Sequence, residues 1–486
     1  MRSCIQALAL FSAALLTLHA CTRDRAEPLY QGFPAKVGRI FAGNCGVSGC
    51  HNAASKDACA GLELTSWDKL FEGTANNSCV IPFRPDLSTL FFSINTFPDL
   101  GPALSPTMPV NRPALSREEV ILIRDWIAAG APNDKGFVKW SDDPGRHKIY
   151  VANQGCDLIT VFDSKTRLIM RAIDAGNTPA TEAPHDMFVS PDGNYLYISF
   201  FTSNVFQKFR TSDDTKVGEL NLPDISWHSM AISGNSQRAL VSHLSADGVV
   251  SLLDLGSMSI LQTYQGTGFL VYPHGCTLNY DGTVGYITSQ QGNFIYKIGL
   301  SNPSSPDIAM IPLQTGDIPN PAGIYKPYEV DFTPDYTRYY VTCQGTNEVR
   351  IFDSGNDSLL QVIPTIGVPQ TISFSETFPY AFIACMQDTA NTSTQSGVSI
   401  VNTATLQAVS SLYTGPQPRG LIVDDEHQCV WVANRNISGV GWAPHHTTVC
   451  QGRAGYITLI DMNNLQMIPA WRTQVSVDPY QVAIKK

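Results

Sequence analysis

Hydrophobic and polar positions alternate in short runs from residue 147 onward, and the runs come as a repeating set. One element occurs seven times: a proline, or once a tryptophan, then a polar or aromatic residue, then an alternating strand that often ends in a turn. Its copies are PHDMFVSPDG at 184, WHSMAISGNS at 227, PHGCTLNYDG at 273, PYEVDFTPDY at 327, PQTISFSET at 369, PRGLIVDDE at 418 and PYQVAI at 479, spaced 42 to 61 residues apart. Each of the first six is followed by a second strand such as YLYISF or RYYVTC, a third such as EVRIFD or GYITLID, and a weaker fourth. Four strands at this period predict a β-propeller of seven blades. The segment opens on a second-type strand, KIYVAN, and closes on a first-type strand, YQVAI, so the last strand is expected to complete the first blade and seal the ring.

Aligning the seven copies assigns two positions. Met187, Met230, Cys276, Val330, Ile372, Leu421 and Val482 share one place and are all apolar, which predicts packing between blades rather than soft metal ligation. The place after the proline or tryptophan holds His185, His228, His274, Tyr328, Gln370, Arg419 and Tyr480, never an aliphatic residue. Innermost strands begin at one rim of the central channel, so a polar ring around its mouth is expected, and with it a small-molecule ligand site near the axis. Three histidines in consecutive blades suit a metal, a second haem or proton delivery; equally, they suit backbone groups and water at a rim. Arg419 opposite them suits an anionic ligand.

Before residue 147 the period becomes helical. Val37, Ile40 and Phe41 mark one face of a short helix over 35–43. Ser116 and Glu119 form an S-x-x-E capping box, and Val120, Ile123 and Ile127 recur behind it until Gly130 and Pro132 stop the helix. The predicted organisation is therefore a small all-α domain over 31–136, a polar linker at 137–146 and an all-β seven-bladed propeller over 147–486.

Between those helices lies GNCGVSGCHN, residues 43–52. Cys45, Cys50 and His51 stand in the order that covalent haem c attachment requires, two thiols for the porphyrin vinyl groups and an imidazole for the iron. Four residues separate the cysteines instead of the usual two, and Gly46 and Gly49 would let the longer loop fold back. A small disulfide loop or half a zinc site fits the same residues. Met108, between Pro106 and Pro109, is the candidate sixth ligand, against the commoner core-filling role of methionine.

The ordered set GLELTSWDKLFEG, PFRPDLSTLF and TMPVNRPALSREEVILIRDWIAAGAP, after the C-H box, resembles the small cytochrome c domains of exported bacterial proteins of the planctomycete type. The resemblance implies one haem c attached at Cys45 and Cys50, with His51 and Met108 as axial ligands. Cys59 and Cys79 fall outside its pattern, and either a disulfide between them or two buried thiols is expected. IYVAN, VFDSKT and VSPDG resemble the YVTN-type bacterial propellers, which implies architecture and little about function.

Composition narrows the setting. The chain has 486 residues, 15% of them charged, with a formal net charge of -10, which speaks against a nucleic-acid partner. Arg2, an apolar run from Ile5 to Leu18 and small Ala20 read as an export signal over 1–20. Leu18-His19-Ala20-Cys21 looks like a lipobox, so Cys21 is the candidate lipid anchor, against a plain cleaved signal. Either way the protein is expected outside the cytoplasm, periplasmic or held at the outer membrane, touching a membrane only through its N-terminal lipid. Disulfides are at home there. Cys429 and Cys450, flanking an insertion that carries His445 and His446, are the simplest pair; Cys343 and Cys385 leave a bridge and two thiols open.

Together these features predict a c-type cytochrome that passes electrons to a redox partner protein, with a propeller that binds a ligand or partner. The rivals are a multi-cofactor reductase or oxidase using His185, His228 or His274, and a binding or adhesion lipoprotein.

Overall fold

The structure, a computed structural model, describes residues 30–75, 77–265, 270–386, 396–437, 450 and 452–486. The expected signal over 1–20, Cys21, His445 and His446 lie outside the described residues.

From Lys148 the described chain forms 28 strands, numbered β1 to β28 in chain order, arranged as seven antiparallel four-stranded sheets. These are the seven blades that the repeat predicts. The recurring element supplies the innermost strand of each: β4 (Pro184–Val189), β8 (Trp227–Ile232), β12 (Pro273–Leu278), β16 (Pro327–Phe332), β20 (Pro369–Phe374), β24 (Pro418–Asp424) and β28 (Pro479–Lys485). β28 pairs with β1 (Lys148–Asn153), ahead of β2 (Leu158–Asp163) and β3 (Leu168–Asp174), so blade 1 is built from both ends of the propeller sequence. Packing between neighbouring sheets buries both faces of the second strands, and β1 is buried at every position. Met187, Met230 and Val330 are fully buried in the cores between blades, as their shared place predicts.

Outermost strands mostly face water, as β7 (Thr215–Asn221) and β23 (Gln407–Leu412) do. β3 differs. Its Leu168, Ile169 and Met170 are buried because residues 30–146 pack over it, covering an edge that would otherwise be open to pairing. Ser78 Oγ donates to the Ile169 carbonyl at 2.8 Å, Arg84 reaches Asp174 at 2.9 Å, and Arg171 donates to the Lys139 carbonyl at 2.9 Å.

The described residues of the covering segment form four α-helices: α1 (Ala35–Asn44), α2 (Trp67–Leu70), α3 (Thr89–Ile94) and α4 (Arg117–Ala128). α1 buries Val37, Ile40 and Phe41. α4 starts with the expected capping box, the Ser116 hydroxyl accepting from Glu119 N and Ser116 N donating to Glu119 Oε2 at 2.9 Å, and ends at Gly130 with φ +95°. One continuous core runs from Phe33 and Trp126 through Trp140 to Tyr150 and Phe200. Two residues of the 137–146 stretch join it: Phe137 packs on Trp67 and Trp140 on Phe71, with ring centroids 5.8 and 5.5 Å apart. Burial of these aromatic rings overrides the polar, loop-like composition around them.

The cysteine pairing also departs from expectation. Cys450 is bonded to Cys156, not to Cys429, with 5.5 Å between Cα atoms. Strand direction explains this. Cys429 begins β25 (Cys429–Asn434) opposite Asp461, the last residue of β26 (Ala454–Asp461). Cys450 precedes β26 and so lies past its other end, a strand length of roughly 17 Å or more from Cys429. Cys156, in the turn between β1 and β2, is at that same end. Cys429 is buried beside Trp431, while Cys343 and Cys385 are two separate buried thiols. Cys59 and Cys79 are likewise unpaired, and the Cys79 thiol donates to the Leu70 carbonyl.

Candidate functional site

Cys45, Cys50, His51 and Met108 line a single cavity of about 660 Å³ in the N-terminal segment, walled by Leu62, Leu64, Leu90 and Ile94. The local chain explains how they meet. Cys45 N and Gly46 N both donate to the Phe41 carbonyl, at 2.9 and 2.8 Å, which ends α1 and turns the backbone. The loop then doubles back until His51 N donates to the Cys45 carbonyl at 3.0 Å, so four intervening residues bring imidazole and thiol to one wall. Met108 arrives from the other direction, its N–H donating to the Ser93 carbonyl at the end of α3 at 2.7 Å, and its side chain packs on the hydrophobic core.

The chemistry of these groups is set by burial. Cys45 is pushed up to about 12, first by desolvation and then by the nearby Cys50, so it is held as a thiol. Neither cysteine is in a disulfide. Burial lowers His51, opposed in part by the Leu62 carbonyl 3.2 Å from Nδ1, so the imidazole is neutral near pH 7. With Nδ1 engaged by that carbonyl, the other ring nitrogen is the one left for a ligand, the arrangement that orients metal-binding histidines. Two free thiols, a neutral imidazole and a thioether around an apolar cleft fit a haem c, and the volume lies within the roughly 300–1,000 Å³ of clefts that enclose such cofactors. Cys59 and Cys79 line the same cavity, a juxtaposition that their sequence positions did not reveal.

The second candidate group lies on the propeller axis. His185, His228, His274, Tyr328, Arg419 and Tyr480 do converge, and they touch in a closed circle. Ring centroids are 4.9 Å apart for His185 and His228, 5.4 Å for His228 and His274, 3.9 Å for His274 and Tyr328, and 4.3 Å for Tyr480 and His185. The Arg419 guanidinium bridges the last gap, 5.0 Å from the Tyr328 ring and 4.5 Å from that of Tyr480, and donates to Tyr328 Oη at 2.9 Å. The ring lies at the axis as the shared place implies, but its side chains fill the mouth: His185, His274 and Arg419 are 4%, 1% and 3% exposed and His228 is half-buried, so the ring is a plug. Seven strands converging on one axis leave too little room for side chains of this size to stand apart.

Burial lowers His185 and His274 well below the ordinary imidazole value, with neighbouring histidines and Arg419 adding to it, and holds His228 at about 4. All three are neutral at pH 7. Burial opposes the charge of Arg419, but Tyr328, Tyr480 and Glu329 more than offset it, so the arginine remains a cation. Among the described residues no three His, Cys, Asp or Glu side chains are arranged to hold a metal ion. His185 Nδ1 takes a contact from the Gln154 amide at 2.9 Å, while its Nε2, Gln370 Oε1 and Arg419 Nε are buried without protein partners, which marks places for water at the axis.

Two backbone features aim these residues, and neither is visible in residue types. A register shift falls at the start of every innermost strand, for example between Pro184 and Asp186 and between Pro273 and Cys276, so the ring residue sits in a bulge and turns to the axis. The residue before each strand has positive φ, including Ala183 at 60°, Ser226 at 75° and Gln417 at 55°, left-handed backbone held by non-glycine residues.

Beneath the plug an axial cavity of about 440 Å³ runs to the opposite rim. Glu329, Asp331 and Gln481 face it near the plug, and Pro191, Pro334 and Glu376, all exposed, line its outer end. Desolvation raises Glu329 well above the ordinary carboxyl value, with Asp186 adding to it, and holds Asp331 at about 7. The sequence signal for this pair was PYEVDF, where two acids alternate with two apolar residues in a strand that the repeat already places innermost.

No protein-family profile matches this sequence, and no curated protein does. Among solved structures, the chain is similar to hydrazine synthase from Kuenenia stuttgartiensis, with 16% identity and a TM-score of 0.48 over 63% of this chain and 93% of that one. That likeness is too distant to bear on function. It is also similar to a functionally unknown protein from Desulfotomaculum acetoxidans, with 14% identity and a TM-score of 0.53 over 69% of this chain and 98% of that one, a likeness of fold alone.

Proposed function

We propose that this chain is an exported c-type cytochrome: a haem c in the N-terminal cavity exchanges electrons with a redox partner protein, and the propeller supplies the body that presents it and binds a ligand or partner near its axis. The observation that carries this reading is the convergence of Cys45, Cys50, His51 and Met108 on one apolar cavity of about 660 Å³. In this reading the Cys45 and Cys50 thiols would form the thioether links, and the His51 nitrogen not engaged by Leu62 and the Met108 sulfur would ligate the iron. A haem c bound there supplies a one-electron couple, and a thioether ligand raises its potential. Leu62, Leu64, Leu90 and Ile94 keep water from the site, which favours electron transfer over substrate turnover at this cavity.

The Cys156–Cys450 bond supports an oxidising compartment, periplasmic or outer-membrane-anchored through Cys21. The propeller histidines are already engaged with neighbouring rings, so this reading assigns them no second haem or metal. The test is a pyridine haemochrome spectrum of protein made in a host that matures c-type cytochromes. A single haem that stays with the chain after denaturation, and is lost when Cys45 and Cys50 become alanine, supports the reading; colourless wild-type protein overturns it.

A further inference from the structure

We propose that Asn95 is a positioning residue for Met108, a buried side-chain clasp that fixes the loop carrying the methionine sulfur to the N-terminal cavity. Its consequence for a haem rests on the cytochrome reading; the clasp itself does not. Asn95 follows α3 and is 0% exposed, yet it does not line the cavity, so it acts on the site through the chain. Residues 96–107, between Asn95 and Met108, hold no regular element beyond a 3-10 turn at Pro98–Leu100. No backbone ladder therefore sets the path of this loop.

The Asn95 side chain supplies what the backbone lacks. Its Nδ2 donates to the Gly101 carbonyl at 2.9 Å and to the Pro102 carbonyl at 3.1 Å, and its Oδ1 accepts from Phe97 N at 2.9 Å. One amide thus closes 95–102 on itself and starts the chain on its return along α3. Leu104 N then donates to the Phe92 carbonyl at 2.9 Å and Met108 N to the Ser93 carbonyl at 2.7 Å, two carbonyls of a last helical turn that the helix leaves unpaired. Ser93, Ile94, Leu104 and Met108 line the cavity together.

The loop has a second tie, from Arg117 Nη1 to Asp99 Oδ1 at 3.0 Å, but both of these side chains are exposed. An exposed ion pair contributes little, whereas losing the clasp strips two carbonyls and one amide of their partners. The buried amide is the stronger anchor.

The experiment compares full-length haem-loaded wild type with Asn95→Ala, Asn95→Asp and Ser88→Ala. Asn95→Asp keeps the size of the side chain and the bond from Phe97, but turns an acceptor on the Gly101 and Pro102 carbonyls. Ser88→Ala controls for stability alone: Ser88 is also 0% exposed, at the other end of α3, and its hydroxyl accepts from Ile81 N at 2.9 Å and donates to the Arg84 carbonyl at 2.7 Å. Both Asn95 variants are expected to bind added imidazole in the ferric state roughly tenfold more tightly than wild type, because a loosened loop yields the sixth position more readily. Their midpoint potentials are expected to fall toward that of Met108→Ala, and Ser88→Ala to match wild type in both measurements. Hydrogen exchange on the full chain made without haem reads the clasp by itself: the Leu104 and Met108 amides are expected to exchange roughly tenfold faster in the Asn95 variants and at the wild-type rate in Ser88→Ala. Unchanged exchange overturns the clasp, with or without haem. Faster exchange with unaltered imidazole affinity and potential overturns the positioning of the ligand, and equal shifts in Ser88→Ala reduce Asn95 to a merely structural residue and overturn it too. Colourless wild-type protein strikes the cytochrome reading alone, and exchange then decides whether Asn95 holds Met108.

Discussion

Reduction of the Cys156–Cys450 bond should loosen the ring where its two ends meet. The two residues are 294 positions apart, so the cross-link closes a loop that spans nearly the whole propeller, from the β1–β2 turn of blade 1 to the approach to β26 in blade 7. In the chain-entropy account such a loop removes about 5–6 kcal/mol of freedom from the unfolded chain, an upper figure because the native state still has β28 holding blade 1 closed. For a domain of this size, that corresponds to a fall of roughly 5–8 °C in Tm. The assay is thermal unfolding followed by circular dichroism, with and without dithiothreitol, for wild type, Cys156→Ser and Cys450→Ser. Dithiothreitol should lower the wild-type Tm to that of the variants and leave the variants unmoved. If the wild type is indifferent to reductant, or if thiol labelling of denatured, unreduced protein modifies Cys156, the ring-closing role is refuted.

Further outcomes follow from buried charges and from the N-terminal cavity. Lys148, with a side chain 3% exposed, holds Asp214 at 2.8 Å and donates to the Thr211 carbonyl at 2.7 Å, joining blades 1 and 2. Lys148→Met leaves Asp214 buried without a counter-charge, held by the Tyr150 hydroxyl at 2.8 Å, and should cost about 3–5 kcal/mol in urea unfolding, with Lys148→Met/Asp214→Asn recovering most of it; a loss below about 1 kcal/mol contradicts the ion pair. Asp331 is held at about 7 in the folded protein, above its unfolded value of 3.8, so the stability it lends is full below pH 4 and is lost as pH rises through 7. Asp331→Asn should therefore gain on wild type between pH 4 and 8, by about 1–2 kcal/mol after allowance for cavity water, and a gap that stays flat with pH counts against it. In haem-loaded protein, Met108→Ala should shift the visible bands while the haem stays covalently attached; a spectrum identical to wild type removes Met108 as a ligand.

Much of the architecture was legible because it is encoded locally. The alternation of PHDMFVSPDG and its six relatives marks the innermost strands, and the order of KIYVAN and YQVAI marks how the ring closes. The S-x-x-E box placed α4, since a capping residue acts within one turn of chain. The cavity residues were readable for the same reason, because thiols, imidazole and thioether in that order are distinctive side chains, whatever the loop between them does.

The partner of Cys450 was not readable, because it depends on which end of β25 the insertion leaves and on which turn from the far side of the sequence arrives there. Nor was the closing of the polar rim into a plug: the repeat placed His185 and Arg419, 234 positions apart, at one rim, and only seven bulged strands meeting at an axis bring both against Tyr480. Glu329 and Asp331 alternate with Val330 and Phe332 in PYEVDF and carry no further signal in the sequence. In a propeller the innermost strand turns their face to the channel, so the same alternation that identified the fold gave no sign of two half-buried acids lining an axial cavity. Sequence alone thus determined the repeat, the blade count and the set of chemically able side chains, since these follow from period and residue type. The tertiary structure alone decided which of them meet, how deeply they are buried and what charge they carry, since proximity and desolvation are properties of the assembled ring.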